Sequence, residues 1–166
     1  RNFVSVSIAS GTPPPNPVLI SITNKTDAKC FGACDGSIDV SVNGGFTPYT
    51  YTWGNGATTQ DLFNLCAGSY SITVRDSIGC EKSDTIIINQ PTALNASVSG
   101  IVNVACNGQN NGSIALSVSG GKPGYTYLWS NGSTLQNISS LTAGNYSVTV
   151  RDANNCQIIL SNILVT

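Results

Sequence analysis

The chain has 166 residues, a formal net charge of −1 and a charged fraction of 9%, where soluble globular proteins carry about 25%. Its seven Lys and Arg are scattered and form no basic stripe, which argues against a nucleic-acid interface, and no apolar run approaches the roughly 18 residues of a membrane helix. No His is present, so the usual Ser–His and Cys–His nucleophile and base pairs are excluded.

Phe3-Val4-Ser5-Val6-Ser7-Ile8 opens the chain as an alternating strand pattern, and Gly11-Thr12-Pro13-Pro14-Pro15-Asn16-Pro17 follows as a stiff polyproline spacer. No apolar signal segment precedes them, so the sequence reads as a mature or excised segment. Two fates are expected for Phe3, Val4, Val6 and Ile8 over residues 1–16. They finish a preceding repeat, or they serve as an exchanged arm that adds a strand to a neighbouring molecule and joins subunits into a filament.

Beyond Pro17 come short alternating runs separated by turn residues. Val18, Ile20 and Ile22 alternate with polar residues, as do Ile38, Val40 and Val42, then Tyr49, Tyr51 and Trp53, then Tyr70, Ile72 and Val74. Such alternation makes strands with one apolar face, which must pack on a second sheet. Asn43-Gly44-Gly45 and Asn55-Gly56 supply positive φ for tight connections. The last run, Ile86 to Ile88, leaves its inward parity open. Leu65-Cys66-Ala67-Gly68-Ser69-Tyr70 looks like a tyrosine corner, with Trp53 as the buried tryptophan of a central strand.

The same series then returns 76 positions later. Between Cys30–Cys80 and Cys106–Cys156 the alignment runs without a gap, and 27 of 51 positions are identical, which marks an internal repeat. Tyr146 and Trp129 repeat the roles of Tyr70 and Trp53. The expected fold is all-β: two tandem immunoglobulin-like Greek-key sandwiches of about seven strands, over residues 17–91 and 92–166, after a linker over 1–16.

Six Cys without a C-x-x-C pair point to disulfides in an oxidising compartment rather than to zinc. Cys30 and Cys80 are matched by Cys106 and Cys156, while Cys34 and Cys66 are replaced together by Asn110 and Thr142. The expected bonds are therefore Cys30 with Cys80, Cys106 with Cys156, and Cys34 with Cys66, since losing one partner alone would strand a thiol.

Other candidates read mostly as structure. Asp76 and Asp152 follow a strand, each preceded by an Arg, and read as a loop salt link or turn cap rather than catalytic carboxylates, which need a facing partner. No metal or cofactor is expected. Calcium through Asp76 or Asp35 is a weak candidate, because calcium takes six to eight oxygens. Tyr49, Tyr51 and Trp53 would make a sugar-binding strip if exposed, but strict alternation favours the core and leaves Thr50 and Thr52 outside.

Taken together, Cys-x-Gly, Asp/Asn-Gly-Ser-Ile, Gly-Gly, Tyr-x-Tyr-x-Trp, Leu-x-Ala-Gly-x-Tyr and a closing Cys resemble the SprB-type repeat of very large surface proteins of gliding and other Bacteroidetes. The second half of each unit is more weakly similar to PKD-type sandwiches. The resemblance implies type IX secretion, extracellular display on the bacterial cell surface and adhesion or gliding by long filaments. It also implies the O-glycosylation pattern Asp-Ser/Thr-apolar, met at Ser77 and Thr85. The expected function is thus a non-catalytic structural or adhesive segment. Its partners would be neighbouring repeats or identical subunits and an extracellular surface or polysaccharide, with no nucleic acid and no membrane insertion. The alternatives are a carbohydrate-binding module or a self-assembling filament subunit.

Overall fold

A computed structural model describes residues 16–106 and 108–166. Phe3, Val4, Val6 and Ile8, the residues of the expected terminal strand or exchanged arm, lie outside them.

Among the described residues the first repeat has six strands: β1 (Leu19–Thr26), β2 (Gly36–Asn43), β3 (Thr50–Trp53), β4 (Leu62–Leu65), β5 (Gly68–Arg75) and β6 (Glu81–Ile88). The second has β7 (Asn95–Val102), β8 (Gly112–Ser119), β9 (Thr126–Trp129), β10 (Ile138–Leu141), β11 (Gly144–Arg151) and β12 (Gln157–Val165). Each repeat pairs them into two three-stranded antiparallel sheets, β1-β2-β4 over β3-β5-β6 and β7-β8-β10 over β9-β11-β12. The fold is all-β and immunoglobulin-like.

One buried cluster sits between the sheets of each repeat. Ile38 and Val40 from β2 and Leu62 and Leu65 from β4 meet Trp53, Ile72, Val74, Ile86 and Ile88 from the opposite sheet. Full burial of one such aliphatic side chain is worth about 1.5–3 kcal/mol. Alternation also resolves the three successive isoleucines: Ile86 and Ile88 point inward while Ile87 is exposed. Across the pair β5–β6, Tyr70↔Ile86 and Ile72↔Asp84 set this parity.

Two expectations need correction. Among the described residues six strands form in each repeat, not about seven, because the segment between β3 and β4 meets β2 through side chains. Gln60 Nε2 donates to the Val40 carbonyl, and the Val40 N–H donates to Asp61 Oδ1 at 2.9 Å. Gln136 and Asn137 do the same for Leu116. The first run is also less buried than its alternation suggests. Val18 is core, but a bulge between Ile22 and Asn24 breaks the register, and Ile22 is exposed.

Candidate functional site

The chemistry of this chain is concentrated at the ends of its sandwiches, which we call poles. At the leading pole of the first repeat, the Gly45 N–H donates to the Asn16 carbonyl, and the Phe46 N–H donates to Asp76 Oδ2. Asp76 thus ties the turn before β6 to the loop before β3, and Cys80 closes that turn. At the trailing pole, where β6 ends, the Ala28 N–H donates to the Asn89 carbonyl, and Cys30, Cys34 and Cys66 gather there. The eight-residue strand β6 separates the two poles by about 26 Å.

That separation overturns the expected in-repeat bonds. Cys30 and Cys80 stand at opposite ends of one sandwich, and so do Cys106 and Cys156, so neither pair can close. Cys30 is bonded instead to Cys156, across 126 positions and with Cα atoms 5.7 Å apart. The trailing pole of the first repeat is thereby joined to the leading pole of the second. Beside the bridge, Asn154 Nδ2 donates to the Lys29 carbonyl at 2.7 Å. A cleft of about 250 Å³ runs along the joint between Phe31, Ala93, Leu94 and Gln157. Cys34 is bonded to Cys66 within the first repeat. Cys80 and Cys106 are unbonded, the former half-buried and the latter exposed.

Asp76 and Asp152 are buried turn caps. Asp76 accepts from the amides of Phe46, Ile78 and Cys80, and Asp152 from those of Lys122, Asn154 and Cys156. Burial alone would raise both carboxyls. These amides outweigh it and hold each below the ordinary aspartate value. Arg75 turns to Glu81 at 3.8 Å rather than to Asp76. Asp35 lies at the other pole, where it accepts from the Lys29 amide, so the two calcium candidates do not converge. Among the described residues no three carboxylate or Cys side chains cluster as metal ligands.

The aromatic strip is divided by the core. Trp53 and Trp129 are each 2% exposed, and their Nε1 atoms donate to the carbonyls of Thr59 and Leu135. Tyr49 and Tyr51 are half-buried, with Thr50 and Thr52 outside. Tyr70 donates to the Cys66 carbonyl and Tyr146 to that of Thr142, each four residues upstream. Ser77 and Thr85 are exposed. Sequence reasoning missed Gln60 and Asp61, whose signal was their return as Gln136 and Asn137 at the repeat offset.

The SprB repeat family matches at residues 22–58 and again at 98–134, the same 76-residue offset that the internal alignment and the strands show. Two stretches of the chain, one in each sandwich, thus match the SprB repeat. Each match runs from β1 or β7 through β3 or β9, so it covers the first half of a sandwich. SprB repeats belong to cell-surface proteins, and among the described residues no helix is long and apolar enough to cross a membrane.

No curated protein matches the chain. Among solved structures, the three N-terminal domains of the highly immunogenic outer capsid protein (Hoc) of bacteriophage RB49 align with TM-score 0.51 and 22% identity, over 91% of this chain and 59% of that one. The likeness is one of fold, and this chain spans just over half of that structure. The N-terminal eight Ig domains of Down Syndrome Cell Adhesion Molecule isoform 1.30.30 align with TM-score 0.47 and 12% identity, over 91% of this chain and 25% of that one.

Proposed function

We propose that the two repeats are a non-catalytic, force-carrying segment of an extracellular bacterial surface filament or adhesin, serving attachment or gliding. The observation that carries this reading is the Cys30–Cys156 bridge, which crosses the joint between two like sandwiches. A bond there fixes how one repeat sits on the next, which is what a stiff spacer requires and what an independently folding domain does not. Disulfides also belong to an oxidising compartment, in keeping with surface display. Asp76 and Asp152 have their oxygens committed to backbone amides, which leaves neither poised as an acid or base. The burial of Trp53 and Trp129 removes the flat platform that a carbohydrate-binding module would use.

Stretching the chain by its two ends tests the mechanical core of this reading. With Cys30 bonded to Cys156, the 126 positions between them lie outside the path of the force. A reductant should add about 440 Å of extension, at roughly 3.5 Å per residue. Equal contour lengths with and without reductant would mean that the joint bears no load.

A further inference from the structure

Cys80 and Cys106 have no partner in this chain, yet each stands where the other repeat has a bonded cysteine. Cys80 is the counterpart, 76 positions earlier, of Cys156, and Cys106 is the counterpart, 76 positions later, of Cys30. The surroundings match as well. The Cys80 amide donates to Asp76 Oδ1 at 2.8 Å, as the Cys156 amide does to Asp152 Oδ1 at 2.9 Å. At the trailing poles the Lys29 amide donates to Asp35 and the Ala105 amide to Asn111. The repeat that forms the bond thus shows what each unbonded thiol is placed to do.

We propose that the leading pole of the first repeat and the trailing pole of the second are docking faces for further SprB repeats of the same build. A Cys106-type thiol on one repeat bonds there to a Cys80-type thiol on the next. This rests on the array reading above and adds a covalent staple at every joint. Ile78 gives independent support. It is 62% exposed beside Cys80, at the position where Asn154 in the second repeat reaches across the joint to Lys29. An apolar side chain left bare on a face whose counterpart is an interface fits cover by a neighbouring repeat.

Bond formation needs a disulfide oxidant of the low-molecular-weight thiol class. The Cys106 thiolate attacks the oxidant, forming a mixed disulfide and releasing one thiolate. The Cys80 thiolate of the next repeat then attacks the Cys106 sulfur and releases the second. Two protein thiols lose two protons and two electrons, and one oxidant disulfide becomes two thiols.

The staples are staggered, and this sets how far an array can stretch. Cys80 and Cys106 lie 26 positions apart. A covalent route that enters a repeat at its Cys80-type residue leaves by the Cys106-type residue of the following one, so two repeats share about 90 Å of extensible chain. In-repeat bonds would spend that length on every repeat and make the array twice as extensible.

The test is oxidation of the 166-residue chain at high concentration in a glutathione buffer, followed by non-reducing electrophoresis and peptide mass mapping. Wild type should form a ladder of multimers containing a Cys106–Cys80 peptide. Cys80→Ser and Cys106→Ser should each stay monomeric, and their equimolar mixture should give a heterodimer about tenfold above either homodimer. Cys80 packs in part on the core, so Cys80→Ala runs beside Cys80→Ser, and the Cys30–Cys156 peptide reports that each variant has folded. A wild type that stays monomeric with two titratable thiols, or variants that homodimerise as readily as they pair, would overturn the docking but leave the array reading intact. A Cys30–Cys80 peptide in place of Cys30–Cys156 would overturn both.

Discussion

Asp76 and Asp152 show how one residue type organises a pole. Each is buried among backbone amides of two separate loops, so a single carboxylate does the work of several turn bonds. The adjoining glycines are required for the same reason. Gly45 has φ of 58°, and a Cβ there would sit 3.0 Å from Asp76 Oδ2 and 2.7 Å from Val18. A side chain would be strained twice, by the backbone and by the cap. Because each folded carboxyl titrates below the unfolded aspartate value of about 3.9, its stabilisation is complete above that value. It is lost as pH falls through the folded value. Asp76→Asn and Asp152→Asn place an NH₂ against amide donors, so both should melt at a lower temperature than wild type at pH 7. The gap should narrow as the buffer is taken below about pH 4. Thermal melts from pH 7 to pH 2 measure this, and a gap that stays constant with pH would refute the charged cap.

At the level of elements, the flank of β2 that pairs with β4 from Gly36 to Ile38 is continued at Val40 by side chains rather than by further strand. The Val40 amide and carbonyl are both taken by the Gln60–Asp61 pair. Because the second repeat uses Asn137 at the same place, Asp61→Asn should leave the melting temperature nearly unchanged. Asp61→Ala strands the Val40 amide and should cost about 1–3 kcal/mol, read by denaturant unfolding. Equal losses for the two variants would mean that the acceptor does not matter. This feature was not legible in advance, whereas most strands were. Ile38 to Val42, Tyr49 to Trp53 and Tyr70 to Val74 alternate cleanly because one face of each must be apolar. Polar residues that stand in for a strand have no such period, so β4 and the count of six strands escaped, although the repetition of Gln and Asp/Asn at one offset carried the signal. The Ile86 to Ile88 run was ambiguous for the converse reason: three apolar residues fit either parity, and only pairing with β5 decides.

At the scale of the whole molecule, the cysteines were legible as disulfides but their pairing was not. Comparing two copies shows which positions are used together, and a bond within each repeat and a bond to the next repeat leave the same trace. Only the topology, which sets Cys30 and Cys80 at opposite poles, separates them. The consequence is an uneven pair. The first repeat has the Cys34–Cys66 bridge in addition to the shared joint, while the second has no bond of its own among the described residues. Their cores are separate, so removal of the joint bond with Cys30→Ser and Cys156→Ser should let them melt independently. The bridge of sequence separation 32 should contribute about 2–4 kcal/mol. At roughly 4–8 °C per kcal/mol for units of this size, the first repeat should melt about 8–32 °C above the second. Substituting Cys34→Asn and Cys66→Thr in that background, which installs the second repeat's own residues, should pull the upper transition down toward the lower one and leave the lower one in place. Differential scanning calorimetry reads both at once. A single transition that moves as a unit would show that the sandwiches are coupled by more than sulfur, and the joint would then owe its stiffness to packing rather than to the Cys30–Cys156 bond.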